Sequence, residues 1–254
     1  MCLSLYYIKT QCYDTNCNFN LNVKYDYYDR LDNSFSFSDG NYHSSIGVRC
    51  SLFINNRKLI IMETVETKVI GKYKIEIFPD DSPFNPREDD NLGTMVCFHG
   101  RYDLGDKHEY RQKDYCGWNE LEKDIIKNED VGVIVPLYLY DHSGITMNTT
   151  GFHCPWDSGQ VGFIFISKEK IRKEYSKKRI SEQLRRKIKL YLVEEVNTYD
   201  QYLTGEVYGY CITNTETGEE IDNSWGIYGT DDCLHQAESV VKATIDYENK
   251  ELTE

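Results

Sequence analysis

Apolar residues recur along this chain in two rhythms, at every second position in some runs and at helical spacing in others. Residues 72–78 alternate as a strand and 94–98 form the next, while 131–140 and 160–166 are near-continuous apolar runs of the length of buried strands. Residues 207–213 and 221–228 flank Thr215-Glu216-Thr217-Gly218, which has the composition of a hairpin turn. Trp118, Leu121 and Ile125 come after a break at Gly117 with helical spacing. A longer helical pattern runs through Ile171, Tyr175, Leu184, Ile188, Leu192 and Val196, with a break near Ser181, whose hydroxyl suits a helix start, and a left-handed stop at Gly205. A last helix starts at Asp231 or Asp232 and buries Leu234, Ala237, Val241 and Ile245. Antiparallel strand signals with two to three helices predict an α+β fold, an antiparallel or mixed sheet with the helices on one face.

The first 70 residues differ from the remainder of the chain, being rich in Asn, Tyr, Ser and Asp. They hold β-prone runs at 19–25, 48–54 and 59–65, with turn signals at Asp39-Gly40 and Asn55-Asn56. The division expected is a β-rich N-terminal module over 1–70, an α+β domain over 71–248, and a polar tail over 249–254 that frays from Glu248. Residues 79–90 combine prolines with five acidic side chains and predict a loop.

A chain of 254 residues can bury a core without disulfide staples. The opening MCLSLYYIKT has no basic leader, its apolar run stops at Lys9, and nothing later approaches a spanning length, so neither a signal peptide nor a membrane partner is expected. The nine cysteines are then expected as thiols in the cytoplasm. The net charge of −13 is unevenly spread: residues 167–189 carry eleven Lys or Arg against three Glu, leaving −21 on the rest. That basic helical segment is either a solvated face balancing an acidic body or a contact for phosphate or a partner.

Two polar knots sit beside strand-like runs, Asp141-His142-Ser143-Gly144 and Cys154-Pro155-Trp156-Asp157-Ser158-Gly159. They contain the residue types of nucleophilic catalysis: Cys154 or Ser158 as nucleophile, His142 or His153 as base, Asp141 or Asp157 as orienter. No GxSxG accompanies them, and Ser158-Gly159 after Asp157 is equally a tight turn, with Trp156 plugging the core. Cys97 and His99, two apart on a strand, share a face, and His108 and Cys116 could complete a metal set, but CxxC and HExxH are absent and no metal or cofactor is expected. Among the carboxylates Glu88, Asp89, Asp90, Asp103, Asp106 and Asp141, only Asp90 stands at a strand mouth. The binding candidates are therefore Asp90, His99 and the basic-segment residues Lys177, Lys178, Arg185 and Arg186. The aromatic string Tyr199, Tyr202, Tyr208, Tyr210, Trp225 and Tyr228 reads as helix-on-sheet core rather than a base-stacking platform.

The segments PREDDNLGTMVCFHGRYDLGDKH, PLYLYDHSGITM, CPWDSGQVGFIFISKEKIRKEY, YDQYLTGEVYGY and SWGIYG resemble a protein family of tailed bacteriophages and prophages. The likeness runs from Tyr73 to His235 in preserved order and leaves the first 70 residues as an addition. What the resemblance implies is origin rather than a reaction: an accessory protein acting by binding in the host cytoplasm, a counter-defence inhibitor of the anti-CRISPR or anti-restriction kind. Its acidic body would imitate DNA phosphates and occupy the basic cleft of a host or defence-system protein. The alternatives are a small hydrolase-like enzyme using the Asp141/His142 and Asp157/Ser158 turns, and a virion or assembly component. Direct nucleic-acid binding is expected only through the basic segment 167–189.

Overall fold

The computed structural model describes residues 42–43, 49–55 and 58–251, with side chains from residue 63 onward. Strands β1 (Tyr42–His43), β2 (Arg49–Asn55) and β3 (Lys58–Glu63) form an antiparallel sheet, with Asn55 opposite Lys58 where the Asn-Asn pair predicts a hairpin. The run at 19–25 lies outside the described residues. Strand β4 (Glu66–Ile70) then turns through Gly71, at φ 60°, into β5 (Tyr73–Pro79). The sheet holding β5 thus reaches back across the expected boundary at residue 70.

The fold is α+β, with its remaining strands divided between two antiparallel sheets. In chain order come β6 (Thr94–Cys97), α1 (Trp118–Asn128), β7 (Val131–Asp141), β8 (Ile145–Asn148), β9 (Ser158–Ser167), α2 (Lys168–Glu174) and α3 (Glu182–Thr204). After them come β10 (Val207–Asn214), β11 (Glu220–Tyr228) and α4 (Thr230–Glu251). One sheet has the order β11-β10-β5-β4 and the other β6-β9-β7-β8, so the whole second sheet is inserted between the adjacent strands β5 and β10 of the first.

Helix α4 covers the first sheet, burying Cys233, Ala237 and Val241 against Tyr73, Ile75, Ile77, Tyr210 and Ile212. The second sheet is covered twice. Ile188, Leu192, Val196 and Tyr199 of α3 meet Met95, Leu137, Leu139, Ile164 and Ile166, and on the opposite face Leu121 and Ile125 of α1 meet Val96, Phe163 and Phe165. Burial on both faces is why β7 and β9 read as unbroken apolar runs.

The helix ends obey the sequence signals. The Ser181 hydroxyl accepts from the Leu184 amide at 3.2 Å, and Gly205 closes α3 at φ 78°. Helix α4 runs on to Glu251 rather than fraying from Glu248, because the Glu248 carboxylate accepts from Lys72 Nζ at 2.8 Å and the Tyr73 hydroxyl at 2.7 Å. Those two donors, Lys72 first, hold the Glu248 carboxyl below its ordinary range.

A buried ion cluster joins the second sheet to α3. Arg87, whose side chain is 2% exposed, donates to Asp106 Oδ1 from Nε at 2.9 Å and to Asp106 Oδ2 from Nη2 at 2.6 Å. It also donates from Nη2 to the Gly93 carbonyl at 2.9 Å and from Nη1 to Glu195 Oε2 at 3.2 Å. Burial opposes the Arg87 charge, but hydrogen bonding and attraction from Asp106, then Glu195, outweigh it and hold the guanidinium above its usual value. Asp106 further accepts the Met95 amide at 2.7 Å, and Glu195 accepts the Leu92 amide at 2.6 Å.

Strand β6 approaches β9 so closely that a Cβ at Gly162 would stand 1.9 Å from the Val96 carbonyl oxygen. Gly162→Ala is expected to force β6 away and cost about 3 kcal/mol, read as a lowered urea midpoint with an unchanged denaturant slope. Arg87→Ala leaves Asp106 and Glu195 without their cation and is expected to cost about 3–5 kcal/mol in the same measurement, well above the cost of removing an exposed ion pair.

Candidate functional site

The register of β7 and β9 places the two polar knots side by side. Tyr140 pairs with Ser158, and the Asp141 amide donates to the Asp157 carbonyl at 2.8 Å. Strand β7 then turns into β8, with the His142 amide donating to the Gly144 carbonyl at 3.1 Å and Ser143 at φ 60°. At this corner consecutive side chains join different partners. Asp141 Oδ2 lies 3.3 Å from His99 Nε2 and accepts from the Arg101 guanidinium, while His142 Nδ1 lies 3.4 Å from Asp157 Oδ2. The Cys154 thiol reaches the same Asp157 oxygen at 3.6 Å, and the Ser158 hydroxyl donates back to the Cys154 carbonyl.

Five expected residues are thus gathered in two neighbouring contacts, His99 with Asp141, and His142 with Asp157 and Cys154. Ser158 is adjacent, but its hydroxyl is spent on the turn. Asp90 stands apart and exposed, its amide bonded to Asp89 Oδ1 at 2.8 Å. The basic segment is not one helix but α2, an elbow and the start of α3. Lys177 and Lys178 are exposed on the elbow, Arg185 donates to the Gly132 carbonyl, and Arg186 Nε lies 3.6 Å from Glu182. Trp156 does not plug the core; it is 91% exposed. Of the aromatic string, Tyr199 and Tyr210 are buried, but Trp225 is exposed.

His99 Nδ1 accepts the amides of Arg101 and Tyr102, both at 3.3 Å, which puts the proton on Nε2 facing Asp141. Neither ring nitrogen is left as a free base. The His99 ring stacks on Tyr102 with centroids 5.2 Å apart, and Arg101 lies 5.6 Å above the same ring. His142, with a 63% exposed side chain, has its Nδ1 toward Asp157 and its other nitrogen free, yet no hydroxyl or thiol among the described residues hydrogen-bonds it. The order here is thiol, carboxylate, imidazole, whereas an imidazole activates a thiol only by touching it.

Beside this corner, Cys97, Phe98, His99, Tyr102, Asp103 and His108 line a shallow cleft of about 390 Å³. His108 Nε2 lies 3.0 Å from the Cys97 carbonyl oxygen, leaving Nδ1 buried without a partner. Burial, reinforced by Asp106, pushes the Cys97 thiol up to about 12, so it is not a thiolate at neutral pH. Cys116 is exposed, and no group of three or more His, Cys, Asp or Glu among the described residues is placed to hold a metal ion.

Sequence reasoning missed Arg101, Arg87 and Glu195. Asp106 was legible only as one carboxylate among several, because its arginine partner is nineteen positions away. Comparison with protein-family models, curated proteins and solved structures finds no match to this chain. Among the described residues no helix is long and apolar enough to cross a membrane.

Asp141→Ala removes the acceptor shared by His99 and Arg101. The expected result is faster hydrogen exchange at the Arg101 and Tyr102 amides, unchanged exchange in β10, and a stability loss of about 1 kcal/mol.

Proposed function

We propose that the protein acts by binding, presenting a carboxylate-rich surface to a basic partner. The observation that carries this is where the charge lies. Residues 190–254 contain fifteen Asp or Glu against two Lys, a surplus equal to the net −13 of the whole chain, so everything before them balances. Within that stretch Glu206, Glu216, Glu219, Asp231 and Asp232 are exposed and form no ion pair among the described residues. They lie just before β10, in the β10–β11 turn and in the first turn of α4, all next to the first sheet.

Such a surface suits the basic cleft of a nucleic-acid enzyme, where carboxylates stand in for phosphates. The resemblance to tailed-phage proteins supplies the setting: the host cytoplasm, with a CRISPR or restriction nuclease as the target. The polar corner favours the same side of the choice, since Asp141, His99 and Ser158 are occupied by one another and by backbone, as in a fixed surface feature. The hydrolase alternative retains the His142–Asp157 contact, but among the described residues no hydroxyl or thiol is hydrogen-bonded to the His142 ring, the Cys154 thiol meeting Asp157 instead.

The test is direct binding of the purified protein to DNA-free restriction and CRISPR nucleases, with a Glu216→Gln/Glu219→Gln/Asp231→Asn/Asp232→Asn variant beside the wild type. The wild type is expected to bind at least one nuclease, with affinity falling as salt rises, and the variant to bind at least tenfold more weakly. Equal affinity of the two proteins, or no binding of either nuclease class, overturns the proposal.

A further inference from the structure

Ten of the eleven cations of residues 167–189 fall into two groups once their contacts are known, and the eleventh, Arg172, is exposed and adds to the charge that Lys168 sets against Asp130. Several have local tasks. Lys168 pairs with Asp130, Lys170 donates to the Asn91 carbonyl, Arg185 to the Gly132 carbonyl, Arg186 faces Glu182, and Lys187 lies 5.5 Å from the Tyr191 ring centre. Lys173, Lys177, Lys178, Arg179 and Lys189 are exposed, and their side chains make no hydrogen bond or ion pair among the described residues.

Four of these, Lys173, Lys177, Lys178 and Arg179, lie on or beside the elbow between α2 and α3, whose backbone is held at both ends. Ser176 adopts φ 50°, its amide and that of Lys177 donate to the Lys173 and Arg172 carbonyls at 3.3 and 3.2 Å, and Ser181 caps α3. Cations placed to neutralise an acidic body would sit against carboxylates, of which the chain has 42 for its 29 Lys and Arg. These do not, and their crowding is repulsive unless an anion lies across them. Lys189 and Tyr191, two apart on α3, lie on different sides of the helix, so Lys189 stands away from this ring. The ring of Tyr191 is 45% exposed, carries Lys187 over it, and lines one cleft with Tyr175, which ends α2 beside the elbow. An open ring beside a row of free ammonium groups is the combination that holds an unpaired base and its backbone.

We propose that the α2–α3 elbow binds single-stranded nucleic acid, with phosphates on Lys173, Lys177, Lys178 and Arg179 and a base stacked on Tyr191. Three of the four cations are lysines, point charges that position a backbone without reading sequence. The acidic body does not forbid this, because at 0.1 M salt charges more than about 10 Å away are largely screened. The inference is independent of the acidic-surface proposal, since it uses different residues and needs no protein partner.

Fluorescence anisotropy of a dye-labelled 20-nucleotide single strand, and of the matching duplex, tests it between 50 and 200 mM salt with the purified full chain. The single strand is expected to bind more tightly than the duplex, with log affinity against log salt falling at a slope of about −3. Lys177→Gln/Lys178→Gln/Arg179→Gln should weaken binding at least tenfold and flatten that slope by about 2. Tyr191→Ala should weaken it at least fivefold, and Lys242→Gln on α4 should leave it unchanged. Both test variants alter exposed residues at separate places, so a folding defect in one does not remove the other. Absence of binding at 50 mM salt, preference for the duplex, an unaffected triple variant, or binding to phosphatidylserine vesicles but not to the oligonucleotide overturns it.

Discussion

A single buried guanidinium organises the second half of this fold. Taking Arg87 out of water costs several kcal/mol, and the cost is offset only because Asp106, Glu195 and the Gly93 carbonyl together engage its Nε and both Nη atoms. The two carboxylates do more than neutralise it. Asp106 takes the Met95 amide on the outer edge of β6, and Glu195 takes the amides of Leu92 and Gly93. An edge strand that would otherwise need another strand is closed by the Asp106 carboxylate together with the backbone of 105–106, whose Asp106 amide donates to the Met95 carbonyl at 2.8 Å. Helix α3 is tied to the loop before β6 by the same atoms, so the path leaving Cys97 starts from a fixed point, and His99 and Arg101 arrive on Asp141.

That constraint matters because of the connectivity. The second sheet enters after Pro79 and leaves before Val207, and these ends are neighbours: the Asp80 amide donates to the Val207 carbonyl at 2.8 Å. Insertion therefore leaves the ladder between β5 and β10 undisturbed from Pro79 opposite Tyr208 to Tyr73 opposite Asn214. The ladder closes only when the intervening chain is compact, since loop closure must be met before the pairing rewards it. The Arg87 cluster contributes to that compactness by holding the 87–93 loop, β6 and α3 together.

Much of this was legible in local pattern. Strands β5, β7, β9, β10 and β11 and helices α1, α3 and α4 obey period and capping, down to Ser181 and Gly205. Strand β4 was missed because it is a solvated edge, with Val69 at 59% exposure, and β8 because four residues hold too little periodicity. The division into two sheets left no local trace, since strands of either sheet share the same rhythm. The polar corner could be located from its two knots, but not its wiring. Arg101 meets Asp141 across 40 positions, and Arg87 meets Glu195 across 108, and contacts at such separations arise from topology rather than from spacing.

Helix α3 shows why charge and stability must be considered separately here. Arg185, Arg186, Lys187 and Lys189 occupy its N-terminal half and Glu194, Glu195 and Asp200 the rest, with no basic residue in the last turn. Beyond the first turn, where Glu182 is favourably placed, this is the reverse of the order that the helix macrodipole favours, an effect that fades within the end turns. Packing outweighs it: Ile188, Leu192, Val196 and Tyr199 are buried, each contributing about 1.5–3 kcal/mol. Inward-facing members of the two sets serve structure, Arg185 on the Gly132 carbonyl, Glu195 on Arg87 and Asp200 on the Met147 amide at 2.6 Å. Helix stability explains none of the outward-facing ones. Their effect is a gradient of potential along a rod about 35 Å long, from a cationic elbow to the acidic quarter of the chain, which begins at residue 190 within α3 itself. Because α3 is rigid and anchored through Glu195, a partner held at one end meets the other end in a fixed orientation.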